Sequence, residues 1–178
     1  VNFDGYIGNL RVRAKGTSSG ETITMTAFAK LKFQKMKSNG DTETRFSLLG
    51  DESEVSVAEW RAESSGRTCV KSGAATVFPG GFMGDLATTT TPDTYGVAGT
   101  VTLQVPALCT PRSGGSMSMR SYDGLAFVFG TGLTIGTKRP MPDRELLLVD
   151  GLGLNAMFGG NDGVVVTQDW GLVRSFDE

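Results

Sequence analysis

An uninterrupted alternation of apolar and polar side chains over residues 21–33 constrains the fold of this chain more than any other feature. Apolar residues occupy every odd position from Ile23 to Phe33, whereas threonines and lysines occupy the even positions except at Phe28. Successive side chains of a β-strand point to opposite faces, so a period of two predicts a strand with one buried and one solvated face. Phe28 is then the one apolar side chain on the solvated face.

A hairpin and several further strands are predicted around this segment. Asn39-Gly40 follows it and is typical of a tight hairpin turn, because both residues tolerate the positive φ that such turns need. We expect the return strand to begin near Thr42 and to carry Phe46 and Leu48. Alternating or apolar runs predict further strands at residues 6–15, 67–77, 95–105, 116–129 and 164–173.

Three further segments have no clear strand pattern, and two of them fit more than one structure. Residues 55–60 fit a strand, but the nearby glutamates, Ala58 and Trp60 also fit a short helix. The apolar run 145–158 contains Asp150-Gly151 and fits either a bent strand or a hairpin. Residues 79–93 combine glycines with a run of threonines and predict a long surface loop, a kind of segment that is often functional.

The distribution of glycine indicates the fold class. Glycine supplies 25 of the 178 residues and falls between short apolar runs, which is typical of all-β proteins with many turns. A chain of this length fits one domain, and we count about eight strands. About eight strands without helices indicate a β-sandwich or a barrel. The prediction is a single eight-stranded antiparallel jelly-roll β-sandwich over residues 1–178.

The chain contains no histidine, which removes the commonest catalytic chemistry. Ser-His-Asp and Cys-His pairs and histidine metal ligands are excluded, so we expect no enzyme, no cofactor and no metal site. The formal net charge is −2, which predicts no strong field and no dominant attraction to nucleic acid or membrane. No run of 18 apolar residues is present to span a bilayer.

Two glycine motifs fail in their context. Residues 151–156 match G-x-G-x-x-A after an apolar run, but only 22 residues follow, too few for the βαβ unit of a dinucleotide site. We interpret this motif as a bend or bulge relieved by glycine. Residues 16–20 match the G-x-S-x-G nucleophile elbow, which needs a histidine base and a following helix. We interpret these residues as a serine- and glycine-rich loop.

Acidic residues offer a weaker route to chemistry. Asp51, Glu52, Glu54 and Glu59 lie close together in sequence, and paired carboxylates can hydrolyse glycosides or bind Ca²⁺. We favour a solvated acidic loop. Aspartates 143, 150 and 162, with Asn161, are interpreted first as turn residues and only second as calcium ligands.

The two cysteines and a group of lysines leave alternatives open. Cys69 and Cys109 could pair, and closing a loop of that length would stabilise the fold by about 4 kcal/mol on the chain-entropy model. Two cysteines are too few for a disulfide scaffold, so the sequence does not decide the pairing. A possible basic contact patch that could bind phosphates or an acidic partner consists of Lys30, Lys32, Lys35 and Lys37. Ordinary surface lysines that keep strands soluble are the favoured interpretation.

Several apolar side chains have no obvious buried partner in the sequence pattern. If exposed, they would form a patch suited to a protein interface. They are Phe78, Phe82 and Met83, then Met117 and Met119, then Leu172, Val173 and Phe176.

Three short segments resemble the coat proteins of picorna-like plant viruses, the comovirus and nepovirus group. The opening Val-Asn-Phe-Asp-Gly-Tyr-Ile of residues 1–7 resembles the start of their last coat-protein domain. Ser19-Gly20, leading into the alternating strand, resembles the entry to an early jelly-roll strand. Residues 164–176, with Asp169 and Arg174, resemble the terminal strand and tail. The missing initiator methionine fits a coat protein cut from a polyprotein.

The resemblance implies a structural capsid protein located in the virion. Copies would pack with each other and with sister coat-protein jelly rolls into an icosahedral shell around RNA, and the lysine patch would face RNA or a neighbour. The alternative is a receptor- or carbohydrate-binding β-sandwich of adhesin, pilin or fibre-tip type, with exposed aromatic residues drawn from Trp60, Tyr95, Tyr122 and Trp170. A carboxylate-based hydrolase is a third, weaker hypothesis.

Overall fold

The alternation in residues 21–33 forms a strand with the predicted burial. The computed structural model describes residues 3–18, 20–36, 43–90, 93–130, 139–140, 146–157 and 163–176. Every odd-numbered residue from Ile23 to Phe33 is buried, and Phe28 is 45% exposed on the opposite face. The return strand is also confirmed, with Phe46 and Leu48 in the core. Asn39-Gly40 lies outside the described residues.

The described residues form eleven strands and one 3₁₀ turn, against the eight strands expected. They are β1 Asp4–Ser18, β2 Glu21–Lys35, β3 Glu43–Leu48, the turn Gly50–Glu52, β4 Glu54–Glu63, β5 Arg67–Lys71, β6 Thr76–Thr90, β7 Asp93–Pro111, β8 Ser118–Gly130, β9 Arg139–Pro140, β10 Leu146–Met157 and β11 Gly163–Phe176. The all-β prediction is confirmed. Within this part of the chain, no helix is long and apolar enough to cross a membrane.

The strands form one antiparallel sheet whose hydrogen bonding closes on itself. The order is β10-β11-β1-β2-β3-β6-β7-β5-β4, and β4 also pairs with β2. This extra pairing makes a closed circuit of six strands, β2, β3, β6, β7, β5 and β4. The remaining strands extend from the circuit, with β8 and β9 paired to β7 and with β1, β11 and β10 beyond β2.

One buried cluster fills the space inside the circuit. Both long strands of the circuit supply it, β2 through residues such as Met25 and Leu31 and β7 through Leu103 and Val105. Because β2 and β7 lie three steps apart in the circuit and share one core, their outer faces point away from each other. The outer surface of the circuit therefore has two solvated regions, one on β11-β1-β2-β4 and one on β5-β7-β8, which meet where β4 pairs with β5.

The predicted loop at 79–93 is wrong, because β6 continues as a strand to Thr90. The register between β6 and β7 shifts between Val77 and Phe82, so the intervening residues form a bulge. Gly80 in this bulge has a φ of 70°, which explains the glycine there. Beyond the bulge Phe82 and Leu86 are buried. The glycines at positions 80, 81 and 84 interrupt the alternation of apolar and polar side chains, so the sequence pattern did not indicate a strand here.

Irregular pairing also explains the two ambiguous segments. Residues 55–60 belong to strand β4, and the register against β2 shifts so that Ala58 has no partner. Val57 and Trp60 therefore both face the core although they stand three residues apart, a spacing that resembles a helix. In β10 a register shift between Val149 and Leu152 confirms a bent strand rather than a hairpin.

The two cysteines form a disulfide. Cys69 on β5 lies directly opposite Cys109 on β7 in the antiparallel register, and both residues are buried. The bond links residues 40 positions apart in the chain. It crosses between two strands of the closed circuit.

Candidate functional site

The solvated region on β11-β1-β2-β4 carries several exposed basic residues. Rows of side chains cross β11, β1, β2 and β4 because these strands are paired in register. Arg11, Arg13 and Lys15 are exposed on β1, and Lys30 is exposed on β2. Arg11 Nη2 lies 2.7 Å from the Asp169 Oδ2 of β11, so one of these charges is neutralised by the adjacent strand.

The structure divides the predicted lysine patch. Lys30 and Lys32 share the outer face of β2, as their alternation predicts. Lys32 Nζ lies 3.2 Å from Glu52 Oε1 and 4.5 Å from the centroid of the Phe3 ring. Lys35 has the opposite parity, and its Nζ lies 4.0 Å from Asp4 Oδ2. Lys37 lies outside the described residues, so the function of the patch stays a prediction.

A hollow of about 420 Å³ opens on this face beside Phe28. Asn9, Lys30 and Glu54 form one row across three strands, and Phe28 and Ser56 form part of the next. The side chains of these five residues are all exposed. The backbone around Leu10, Ala29 and Val55 completes the lining. An aromatic ring thus lies among polar groups of several kinds.

The second solvated face carries an apolar row. Val70, Leu108 and Met119 are register partners on β5, β7 and β8, and they form the row. Val70 is 39% exposed and Met119 is 67% exposed, with Leu108 half-buried between them. Met117, two residues before Met119, is also exposed. We call Val70, Leu108, Met117 and Met119 the apolar row.

The other apolar residues left without partners by the sequence separate into core and surface. Phe82 and Leu172 are buried, and Phe78 is half-buried. Met83, Val173 and Phe176 are exposed. Val173 lies opposite Ile7 in the β1–β11 register, and both side chains are exposed, so they form an apolar pair on the first face.

The structure contains a polar cluster between β2, β5 and β8 that the sequence analysis did not predict. The Tyr122 hydroxyl donates a hydrogen bond of 2.9 Å to Glu21 Oε2. Guanidinium nitrogens of Arg67 and Arg120 lie 3.8 and 3.7 Å from Glu21 Oε1. The Tyr122 ring packs against Trp60 with 4.3 Å between centroids, and the Arg120 guanidinium lies 4.3 Å from the Tyr122 ring. This cluster fastens β8 to β2 and β5.

The environment of the cluster changes the acidity of the phenol. Burial raises the pKa of Tyr122 above its ordinary value of 10.0, because the phenolate loses hydration there. The hydrogen bond to the Glu21 carboxylate acts in the same direction, whereas Arg120 opposes it. The tyrosine is therefore a neutral donor at physiological pH and serves to hold the strands together.

A second cluster joins the beginning of β1 to the end of β11. Arg174 forms an ion pair with Asp4 and donates a 2.8 Å hydrogen bond from Nη1 to the Gly5 carbonyl. Its guanidinium carbon lies over three aromatic rings, at 4.3 Å from Phe176, 5.3 Å from Phe46 and 5.5 Å from Tyr6. The two end segments that carry the sequence resemblance are thus brought into contact.

The acidic residues that the sequence analysis grouped together lie on two different elements. Asp51 and Glu52 lie in the 3₁₀ turn, whereas Glu54 and Glu59 are exposed along β4. Over the described ranges, no three His, Cys, Asp or Glu residues lie close enough to hold a metal ion. Asn161 and aspartates 143 and 162 lie outside these ranges, and the side chain of Asp150 is not described.

The remaining motif and aromatic predictions have clear outcomes where the structure describes them. The G-x-S-x-G segment begins in the last residues of β1 and ends at Gly20, which has a φ of 76° before β2. Residues 16–18 belong to β1, so the loop interpretation is wrong for them. A strand, and not the helix of a nucleophile elbow, follows the segment. Trp60, Tyr95 and Tyr122 are buried, so they do not supply the exposed aromatic face of a carbohydrate-binding protein. The side chain of Trp170 is not described.

No family model, curated protein or solved structure matches this chain. The functional interpretation therefore depends on the two solvated faces and the residues that they present.

Proposed function

We propose that this chain is a structural capsid protein, a jelly-roll β-sandwich that packs with copies of itself and with sister coat proteins into an icosahedral virion shell enclosing RNA. The observation that carries the proposal is the position of exposed apolar side chains on two different regions of the outer surface. The apolar row lies on β5-β7-β8, and the Ile7–Val173 pair lies on β1-β11.

Exposed apolar side chains that lie next to each other are typical of protein interfaces. The domain already has a buried core that includes Phe33, Trp60 and Leu103, so these surface residues add nothing to it. Two apolar contacts on faces that point away from each other allow each copy to contact at least two neighbours. Repeated contacts between different surfaces of a subunit build rings and larger assemblies rather than a simple dimer.

Contact with RNA is a weaker part of the proposal. Lys30 is exposed without an acidic partner within the described part of the chain, but Glu52 partly neutralises Lys32 and Asp4 lies near Lys35. Phosphate binding depends on the number of cations that are free to replace counterions. We therefore expect RNA contacts to be few, and the binding constant to fall only shallowly with salt, because that slope scales with the number of phosphates neutralised.

The assembly state of the purified protein tests the proposal. We expect sedimentation velocity and negative-stain electron microscopy to show shells, or the ring-shaped intermediates of shells, as the protein concentration rises. Met119→Glu places a charge in the apolar row and should abolish these particles while the circular dichroism of the subunit is unchanged. Thr17→Glu is the matched control, since Thr17 is also exposed but lies outside both apolar contacts.

The proposal fails if the wild-type protein stays a folded monomer at every concentration tested. It also fails if Met119→Glu assembles as well as Thr17→Glu.

A further inference from the structure

We propose that the hollow beside Phe28 binds a neutral sugar ring, which stacks on the phenyl ring and is held at its edge by Asn9, Lys30, Glu54 and Ser56. The inference does not depend on shell assembly, because the hollow belongs to one chain and lies on the face opposite the apolar row. Its volume of about 420 Å³ is within the range of small-molecule sites, which run from about 300 to 1,000 Å³.

The ring of Phe28 is left uncovered by its neighbours. Phe28 lies between Arg11 on β1 and Ser56 on β4 in the paired strands. Arg11 is drawn toward Asp169 by a 2.7 Å hydrogen bond on the side away from Phe28, and serine is too short to cover a phenyl ring. Nearly half of the Phe28 side chain is therefore exposed, although an apolar ring gains free energy when it is removed from water.

The polar groups around the ring are free to bind a ligand. Within the described part of the chain, Asn9, Lys30, Glu54 and Ser56 make no side-chain hydrogen bond or ion pair. Lys30 donates, Glu54 accepts, and the asparagine amide and serine hydroxyl can do both. A sugar ring presents the matching surface, with C–H groups on one face and hydroxyl groups that both donate and accept around its edge.

Charge and shape argue against other small ligands. Lys30 and Glu54 lie directly opposite each other, so the hollow has no net charge and does not favour a phosphate or a carboxylate. Among the residues that line the hollow, Phe28 is the one aromatic, so a nucleobase would stack on one side only. An alkyl chain would leave the charged groups of Lys30 and Glu54 without partners.

Saturation-transfer difference NMR tests the site on the protein in whatever assembly state it adopts. The probes are methyl β-D-glucoside, methyl β-D-galactoside and N-acetyl-D-glucosamine at millimolar concentration, with adenosine monophosphate as an anionic probe. We expect saturation to reach the ring C–H protons of at least one sugar. Phe28→Ala should weaken its binding roughly tenfold, the effect of losing part of the burial of a phenyl ring.

Matched variants separate a built site from nonspecific contact. Glu54→Ala leaves the phenyl ring in place and should also weaken binding, because it removes the strongest acceptor in the hollow. Ile7→Ala should not, since Ile7 is as exposed as Phe28 on the same face but lies outside the hollow. Thermal unfolding of each variant checks that the fold is retained.

Several results would overturn the inference. The first is the absence of saturation transfer to all three sugars, and the second is binding that Phe28→Ala leaves unchanged. Binding of adenosine monophosphate that requires Lys30 but not Phe28 would instead show an anion site. Because Phe28 lies outside the apolar row, loss of sugar binding with normal particles separates this inference from the proposal of a shell.

Discussion

Replacing Gly99 by alanine should destabilise the protein, although alanine is normally the better residue within a strand. Gly99 lies on the inward face of β7, directly opposite Phe129 of β8. A Cβ added at Gly99 would lie 2.0 Å from Phe129 Cζ, about 1.4 Å short of the 3.4 Å at which ordinary contact begins. A Cβ added at Gly84, the β6 partner of Gly99, would likewise lie 3.3 Å from Phe129 Cζ. The phenyl ring fills the space of two missing side chains.

Two opposing effects set the magnitude. Replacing glycine by alanine within a strand gains about 0.5–1 kcal/mol from the lower entropy of the unfolded chain. Forcing extra volume into a packed core costs about 1–3 kcal/mol. If the ring is expelled, the cost approaches the roughly 3–5 kcal/mol of truncating a buried phenylalanine. We therefore expect a net loss of about 2 kcal/mol or more, equal to roughly 4–8 °C in Tm for a chain of this size.

Urea unfolding followed by circular dichroism measures this loss. Gly66→Ala is the matched control, because a Cβ at Gly66 meets nothing within 4 Å, and it should be neutral. Combining Gly99→Ala with Phe129→Leu should cost less than the sum of the two single changes, since the shorter side chain leaves room for the methyl group. An unchanged or higher free energy of unfolding for Gly99→Ala would refute the packing of Phe129 over the glycines.

Three further predictions concern the disulfide and the Glu21 cluster. Replacing Cys69 and Cys109 by alanine should lower the free energy of unfolding by about 4 kcal/mol on the chain-entropy model, and equal urea midpoints with and without the bond would contradict this. Glu21→Gln should cost roughly 1.5–3 kcal/mol in thermal unfolding, as expected for hydrogen bonds to a charged group, whereas the exposed Glu59→Gln should cost little. Because the pKa of Tyr122 is raised in the fold, the unfolded state releases the phenolic proton first as the pH rises past 10.0. The stability advantage of the wild type over Tyr122→Phe should thus be full at neutral pH and shrink above pH 10, and a constant difference between pH 8 and 11 would refute it.

The sequence predicts the strands whose inward positions all carry apolar side chains. In β2 the alternation is unbroken from Ile23 to Phe33, and period two is sufficient to assign it. In β6 the alternation is interrupted by a bulge and by Gly84, whose space is filled by a ring from another strand. A pattern that relies on side chains cannot detect a buried position that has none.

Contacts between distant strands were beyond the reach of local patterns. The Tyr122–Glu21 hydrogen bond joins residues 101 positions apart, and neither residue stands in a distinctive motif. The cysteine pairing depends on the register of β5 against β7, which the spacing of the cysteines does not define. The shared face of Lys30 and Lys32 was predictable, whereas the acidic partner Glu52 and the hollow beside Phe28 require the sheet to be assembled.

The position of β1 between β2 and β11 has a consequence for the chain while it is being synthesised. The β2 partner of β1 follows it directly, whereas β11 comes after all the other described strands, and Arg11 and Asp169 are 158 positions apart in the chain. Until β11 has been synthesised, one edge of the long strand β1 has no partner, and such an edge can pair with other nascent chains. Arg11, Arg13 and Lys15 place a row of like charges along it, which repels an identical strand from a neighbouring ribosome. When β11 pairs with β1, Asp169 neutralises the charge of Arg11. The repulsion between identical strands is therefore weaker once the edge of β1 is covered.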